Sequence, residues 1–114
     1  MPKPELEFFD PESIPWVPTG DKPGAYEKIL SSDPETGNYT RLFRVVGPSE
    51  GTKTLVHDDF WEEIFLIKGS ITDLVKNETY HAGYYACRPP GMTHGPYRTE
   101  GESIGFEVRY YVKK

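Results

Sequence analysis

Two short stretches of this sequence contain side chains of the kinds that bind transition metals. In the first, His57 is followed by Asp59 and by the neighbouring glutamates Glu62 and Glu63, and the second ends at His94. Imidazole nitrogens and carboxylate oxygens together accept iron(II), manganese and zinc. Two histidines and one carboxylate with open coordination positions are also the arrangement that activates oxygen. The residue types therefore predict a divalent metal site, provided that the fold brings the two stretches together.

The histidine of the second stretch follows a predicted strand and a rigid turn. Residues 84–87 are the aromatic and small residues of a half-buried strand, and Pro89, Pro90 and Gly91 then stop the strand and turn the chain. A side chain mounted at the end of a rigid strand is held in a defined place. His94 is therefore well positioned for metal binding or acid–base chemistry.

Short strands joined by tight turns account for the rest of the pattern. The chain has 114 residues, with eleven glycines and eleven prolines, which is enough for one domain with one core. Alternating strands are predicted at residues 26–30, 39–46, 52–57 and 103–112, among others, and no segment has a helical stripe of useful length. We expect a proline-rich extended arm over residues 1–24 and a single all-β domain, a sandwich or barrel, over residues 25–114.

Composition argues against several classes of partner. The net charge of −5 comes from interspersed charges without a basic run, so we expect no nucleic-acid partner. The sequence has no long apolar stretch and no leader pattern at its polar start, so we expect no membrane association and a cytoplasmic location. Cys87 is the only cysteine. It fits a reducing compartment, and we expect it to be a small buried residue.

The second stretch resembles the second motif of the cupins, G-x5-P-x-G-x2-H-x3-N. Gly83, Pro89, Gly91 and His94 match this motif at every spacing, and Arg98 stands where the family has asparagine. The resemblance implies a small single-domain cupin of the RmlC-like kind. Its fold would be a jelly-roll β-barrel covering the chain from about residue 26 onward.

The first stretch resembles the first cupin motif, G-x5-H-x-H-x(3,4)-E-x6-G, with one departure. Gly51, His57, a glutamate and Gly69 match, but Asp59 stands in place of the second histidine. The resemblance implies His57, a glutamate and His94 as metal ligands, and Asp59 becomes a possible oxygen ligand. The opposite interpretation is a degenerate site, in which Asp58 and Asp59 are solvated and the two histidines form a hydrogen-bonded pair.

The position of the glutamate ligand depends on where the count starts. Counting back from Gly69 selects Glu62, whereas counting forward from His57 by the usual spacing selects Glu63. Neighbouring strand residues point to opposite faces, so only one of them can face the barrel interior. We favour Glu62, because the strand between it and Gly69 is regular, and this choice implies one residue fewer in the loop after His57.

Within the cupins, the sequence looks closest to the zinc cupins of certain anti-sigma factors and to the small iron dioxygenases that cleave acetylacetone and related ketones. The resemblance implies a metal-dependent enzyme for a small carbonyl or enolisable substrate, working by dioxygenase, lyase or isomerase chemistry. A metal- or ligand-sensing module is the alternative. Iron(II), zinc and manganese remain open as the metal.

Four further expectations concern residues outside the ligand set. Tyr97 and Arg41 are weak candidates for catalytic roles, and His81 is expected to be exposed. Glu107 and Arg109 share a face of the last strand. If that face points inward they could bind a polar substrate, but we expect them to pair on the outer surface. Because the edge strands of such a barrel need covering, we also expect a homodimer that uses the N-terminal arm.

Overall fold

The computed structural model describes residues 2–20 and 23–112. A short 3₁₀ turn at Pro11–Ser13 precedes the strands of this part of the chain. In chain order the strands are β1 (Val17–Pro18), β2 (Ala25–Ser32), β3 (Tyr39–Val46), β4 (Ser49–Glu50), β5 (Leu55–Val56), β6 (Phe60–Lys68), β7 (Ser70–Asp73), β8 (Glu78–His81), β9 (Tyr85–Arg88), β10 (Thr93–His94), β11 (Tyr97–Thr99) and β12 (Glu102–Tyr111).

These strands form two larger sheets and one short ribbon. The six-stranded sheet has the order β1-β2-β3-β12-β6-β9, and the four-stranded sheet has the order β4-β11-β7-β8. Strands β5 and β10 form a two-stranded ribbon of their own. The pairings described are all antiparallel. The all-β prediction is therefore confirmed. None of the helices in residues 2–20 and 23–112 is long and apolar enough to cross a membrane.

The long strands agree with the sequence pattern better than the short ones. Strand β3 has the predicted bounds, and β12 differs from its prediction by one residue at each end. The strand predicted over residues 52–57 is wrong in extent, because only Leu55 and Val56 pair, with β10. His57 therefore lies just after a strand. Strand β6 begins at Phe60, so that Glu62 and Glu63 both lie within it.

The turn between β6 and β7 depends on Gly69. Its backbone has φ of +76°, and a Cβ atom built there would lie 2.0 Å from the carbonyl oxygen of Glu102. A larger residue would meet strain and a backbone clash at the same point. This requirement gives a physical reason for the glycine that closes the first motif.

The inward face of the six-stranded sheet is unusually polar. Phe60 and Leu66 are the buried hydrophobic residues of the described chain, whereas several charged side chains, including Glu62, Arg88 and Glu107, are equally buried. Ionised side chains are rarely buried unless they are paired. An interior of this kind indicates a functional cavity more than a packed apolar core.

Glu107 and Arg109 correct one expectation from the sequence. They were expected on the outer surface, but Glu107 is only 3% exposed and accepts hydrogen bonds from Arg41 Nε at 2.9 Å and from the Tyr39 hydroxyl at 3.2 Å. Arg109 reaches inward to Glu62. The expectation failed because strand alternation identifies two faces but does not say which of them is inside.

The N-terminal segment of the described chain contacts β2 and β3. Strand β1 pairs with β2, and Lys28 on β2 donates to the carbonyl of Pro11 at 3.0 Å and lies 4.8 Å from the ring centre of Trp16. Lys28 is 4% exposed as a result. The boundary at residue 24 and the homodimer both stay predictions.

Cys87 also differs from its expectation. It was expected to be buried, but it is exposed on β9, opposite Glu63 on β6. Its in-register neighbours on that face, Phe65 and Tyr85, are also largely exposed. This side of the sheet faces outward, which is why a small residue there is not covered.

Candidate metal centre

The short ribbon β5–β10 brings the two histidines together. His94 on β10 lies opposite Leu55 on β5, two residues before His57. The backbone N–H of Gly91 donates to the carbonyl of His57 at 2.6 Å, which ties the Pro-Pro-Gly turn to the first stretch. The two imidazole ring centres are 5.4 Å apart. The distant motifs thus meet at one point of the fold.

Glu62 completes a group of three potential ligands. It lies on the inward face of β6 and is 5% exposed. One ligand atom from each of His57, Glu62 and His94 lies within 4.8 Å of the others. Zinc binds imidazole nitrogen and carboxylate oxygen at about 2.0–2.2 Å, so adjacent ligand atoms of a tetrahedral site lie about 3.4 Å apart. The three side chains would therefore have to close by up to about 1.5 Å around an ion, and their residue types fit a divalent metal.

Two arginines already contact the carboxylate of Glu62. Arg88 Nη1 donates to Oε1 at 2.6 Å, and Arg109 Nη2 donates to Oε2 at 3.3 Å. The three residues lie directly opposite one another on β9, β6 and β12, so they form a row of alternating charge across the sheet. Each carboxylate oxygen has two lone pairs. Glu62 can therefore accept from both arginines and still offer a lone pair to a metal.

The surroundings favour the ligand forms of Glu62 and His94. Burial by itself would raise the pKa of Glu62, but its hydrogen bond and charge interaction with Arg88, aided by Arg109, lower that pKa below its ordinary value. Burial, together with the charge of Arg88, lowers the pKa of His94. The carboxylate is therefore ionised and the imidazole neutral near pH 7, and these are the forms that bind metals.

The tautomer of His94 follows from its backbone contact. Its Nδ1 lies 3.4 Å from the carbonyl oxygen of Met92. When Nδ1 carries the hydrogen and donates to this carbonyl, Nε2 has a free lone pair. A hydrogen bond of this type commonly fixes the orientation of a metal-binding histidine.

The other carboxylates of the first stretch lie outside this group. Asp58 and Asp59 are exposed in a bend before β6. Glu63 is on the outward face of β6, where its carboxylate accepts a hydrogen bond from the hydroxyl of Tyr85. The structure thus brings together Glu62, and not Glu63 or Asp59, with the two histidines.

The two residues named as weak catalytic candidates differ in their surroundings. The hydroxyl of Tyr97 accepts from Arg88 Nη2 at 2.8 Å, which connects it to Glu62 through one guanidinium. Arg41 lies elsewhere in the interior and is held by Glu27 and Glu107 at 2.6 and 2.9 Å. The exposed position of His81 agrees with its expectation.

A cavity of about 290 Å³ lies beside the metal-ligand group. His94, Arg88 and Tyr97 form part of its wall, and the rest is largely aliphatic and tyrosyl, with Ile64, Leu66 and Met92 among the lining residues. Pockets for small molecules begin at about 300 Å³. The cavity is therefore of a size for a small organic molecule, and His94 belongs both to its wall and to the group of ligands.

An all-β fold of this type, with two histidines and a glutamate converging from two motifs, is that of a cupin. The family described as the ChrR cupin-like domain matches residues 5–110, and the chain belongs to that family. Compared with curated proteins by sequence, the chain has no significant match.

Solved structures agree with this fold. An RmlC-like cupin protein from Ralstonia eutropha JMP134 superposes with a TM-score of 0.76 at 19% identity, over 94% of this chain and 69% of that one. KdgF from a Halomonas species gives 0.74 at 16% identity, over 96% and 97%. An acetylacetone dioxygenase from Acinetobacter johnsonii gives 0.69 at 23% identity, over 95% and 73%. At these identities the likeness establishes the cupin fold.

Proposed function

We propose that the protein is a metal-dependent enzyme that acts on a small carbonyl or enolisable organic compound. In this proposal His57, Glu62 and His94 hold one divalent ion, which is iron(II), zinc or manganese. The ion supplies Lewis acidity toward a substrate oxygen or, in the case of iron(II), oxidation chemistry with dioxygen. The reaction is accordingly an oxygenase-type cleavage of a carbon–carbon bond, or a lyase or isomerase step.

The observation that carries this proposal is the position of the ligand group against the cavity. His94 belongs to the group whose ligand atoms lie within 4.8 Å of one another, and it also lines the cavity of about 290 Å³. A molecule in the cavity therefore lies next to the group. A purely structural histidine pair would not need an adjoining cavity of ligand size.

The side chains around the cavity have separate tasks in this proposal. Arg88 keeps Glu62 ionised and fixed in position. The hydroxyl of Tyr97 accepts from Arg88, so its own hydrogen is free to be donated to a substrate oxygen. Arg41 is engaged by two carboxylates and is not among the cavity-lining residues, so it has no part in the proposed chemistry.

A sensing module is the second candidate function, and the family supports it. The matched family is described as the ChrR cupin-like domain, and the sequence resembles the zinc cupins of certain anti-sigma factors. In this case the same three residues would bind a metal without turnover. The distinguishing result is metal binding with no conversion of any carbonyl compound tested.

Metal analysis is the experiment that tests the proposal. Protein purified without added metals should contain about one equivalent of a transition metal, and His94→Ala should lower this to about a tenth or less. His81→Ala is the matched control, because His81 is exposed outside the group, and it should keep the metal. A wild-type content below about 0.3 equivalents, unchanged by His94→Ala, would contradict the proposal. If iron is found, oxygen uptake with diketones and aryl ketones separates a dioxygenase from a sensor.

A further inference from the structure

The charged residues around the cavity favour an anionic ligand. Three of them line it, namely Asp73, Lys76 and Arg88. Asp73 is buried, and its Oδ1 accepts hydrogen bonds from the backbone N–H groups of Val75 and Lys76 at 2.9 and 3.0 Å. This carboxylate therefore stabilises the turn that follows β7. Lys76 is exposed and therefore lies at the open side of the cavity.

Arg88 is not neutralised in full by its partner. Glu62 carries one negative charge, but it faces both Arg88 and Arg109. These three residues together carry a net charge of +1. The other two charged lining residues, Asp73 and Lys76, have opposite charges, so the group as a whole stays positive by one charge. Because Glu62 and Arg88 are buried and Arg109 is partly buried, the resulting field is screened less than it would be at the surface.

Arg88 and Tyr97 present hydrogen-bond donors to the cavity. A guanidinium has five N–H donors, and the described hydrogen bonds of Arg88 use one on Glu62 and one on the hydroxyl of Tyr97. That hydroxyl acts as acceptor toward Arg88, so its hydrogen remains to be donated elsewhere. Both residues are among those that line the cavity. A planar anion with two oxygens is the natural acceptor for such a set.

The uncharged part of the cavity lining is suited to the hydrocarbon part of a ligand. Ile64, Leu66, Ile71 and Met92 are aliphatic or thioether residues, and several tyrosines are also among the lining residues. Tyrosine rings and aliphatic side chains pack against flat or aliphatic hydrocarbon groups. The volume of about 290 Å³ limits this body to a small one.

We propose that the cavity binds a small carboxylate with an aromatic or aliphatic body, whose carboxylate oxygens accept from Arg88 and Tyr97. The inference rests on the proposed function in one respect. It takes the substrate to be a carbonyl compound, as proposed above, and adds that this compound carries a carboxylate. Binding of the carboxylate itself requires no turnover and can be measured separately.

The test compares carboxylates with their neutral amides. Benzoate and hexanoate are titrated into the protein at pH 7, with benzamide and hexanamide as matched uncharged probes, by isothermal calorimetry or protein NMR. We expect at least one carboxylate to bind about tenfold or more tightly than its amide, as the loss of a charge-assisted hydrogen bond implies. Equal or weaker binding of both carboxylates would overturn the inference.

Two variants locate the binding. Tyr97→Phe should weaken the carboxylate about threefold to tenfold and leave the amide nearly unchanged. Tyr110→Phe is the control, because Tyr110 lies on the outward side of β12 away from the cavity, and it should change neither. If circular dichroism shows that Arg88→Gln is folded, this variant should lose the preference for a carboxylate over its amide. If it does not fold, the Tyr97 result decides, and unchanged carboxylate binding in Tyr97→Phe contradicts the inference.

A third variant separates this site from a metal. His57 belongs to the ligand group but does not line the cavity. His57→Ala should therefore lose metal and keep its preference for carboxylates. If the preference disappears with the metal, the carboxylate binds the ion and the inference is wrong. If no metal is found at all but the preference is present, the proposed enzyme function fails and the carboxylate site stands.

Discussion

Arg88 and Glu62 lie directly opposite each other on β9 and β6, and Nη1 of the arginine is 2.6 Å from Oε1 of the glutamate. Arg109 reaches the other oxygen from β12 at 3.3 Å. In the proposed site, a metal would share this ligand with the two arginines. Glu62 also compensates the charges of Arg88 and Arg109 on the two neighbouring strands.

The first prediction distinguishes the carboxylates of the first stretch. Glu62→Gln should reduce the metal content to about a tenth of the wild-type value, because an amide is a poor replacement for a charged oxygen ligand. Glu63→Gln and Asp59→Asn should keep the metal, since both side chains lie outside the ligand group. Elemental analysis of the three purified variants measures this, with circular dichroism to establish folding. Loss of metal in Glu63→Gln with retention in Glu62→Gln would reverse the assignment.

The second prediction concerns the other buried ion pair. Glu107→Gln should lower the free energy of unfolding by about 2–4 kcal/mol, because it leaves the guanidinium of Arg41 with one carboxylate instead of two inside the protein. Urea denaturation measures the change. Glu100→Gln is the control, because its side chain is 81% exposed and its ion pair with Arg98 is 3.5 Å long. It should cost less than about 0.5 kcal/mol, and equal effects of the two changes would contradict the prediction.

The third prediction compares two glycines with similar backbone angles. Gly69 and Gly83 have φ of +76° and +95°, but an added Cβ meets the carbonyl oxygen of Glu102 at Gly69 and nothing within 4 Å at Gly83. Gly83→Ala should cost about 1 kcal/mol, from the left-handed backbone alone. Gly69→Ala should cost at least about 3 kcal/mol, because strand backbone must also move. Thermal unfolding of the two variants tests this, and a difference below about 1 kcal/mol would show that the clash relaxes without cost.

The fourth prediction tests the contact of the N-terminal segment with β2. Trp16→Ala should lower the free energy of unfolding by about 1–2 kcal/mol, because it removes the ring that lies 4.8 Å from the ammonium group of Lys28 and exposes that lysine. Phe8→Ala in the same segment is the matched control, because Phe8 is fully exposed. It should change the stability by less than about 0.5 kcal/mol. If both variants are as stable as the wild type, the segment contributes nothing to the fold.

The second motif made the fold predictable because its proline and glycine residues determine where one strand ends and how the chain turns into the next. The turn at Pro89 and Gly91 ends one strand and delivers His94 to the next, and Gly91 adds a backbone hydrogen bond to His57. Spacing between such residues can be read directly from a sequence. The choice of Glu62 over Glu63 likewise depended on counting back along β6 from Gly69. The count selected the inward-facing glutamate although the strand is not regular as expected, because its register with β12 shifts between Leu66 and Lys68. The structure places Glu62 beside the histidines, while binding of a metal stays a prediction.

The charged interior could not be predicted from the sequence in the same way. Arg88, Arg109 and Glu62 meet only because β9, β6 and β12 are neighbours in a particular register, and cross-strand register between distant segments is not encoded by local pattern. The general rule that charged residues are exposed then assigned Glu107 and Arg109 to the wrong face.

One available signal lay in the spacing between His57 and Glu62. Four residues separate them. This separation is one of the two that the motif allows between its second histidine and its glutamate. Counted from Gly51, His57 fits the first histidine position, whereas counted back from Glu62 it fits the second. Asp59 then needs no ligand role, in agreement with its exposed position. The choice between Glu62 and Glu63 was ambiguous because the motif has two histidines and this stretch has only one, which can be aligned to either of them.

The row formed by Arg88, Glu62 and Arg109 also constrains how the sheet can assemble. A slip of one residue in β9 would put Cys87 or Pro89 opposite Glu62, and a slip in β12 would put Val108 or Tyr110 there. Either error leaves a buried carboxylate short of a partner, at a cost of several kcal/mol. The row, which includes one of the three ligand residues, therefore favours the one strand alignment in which the site is complete.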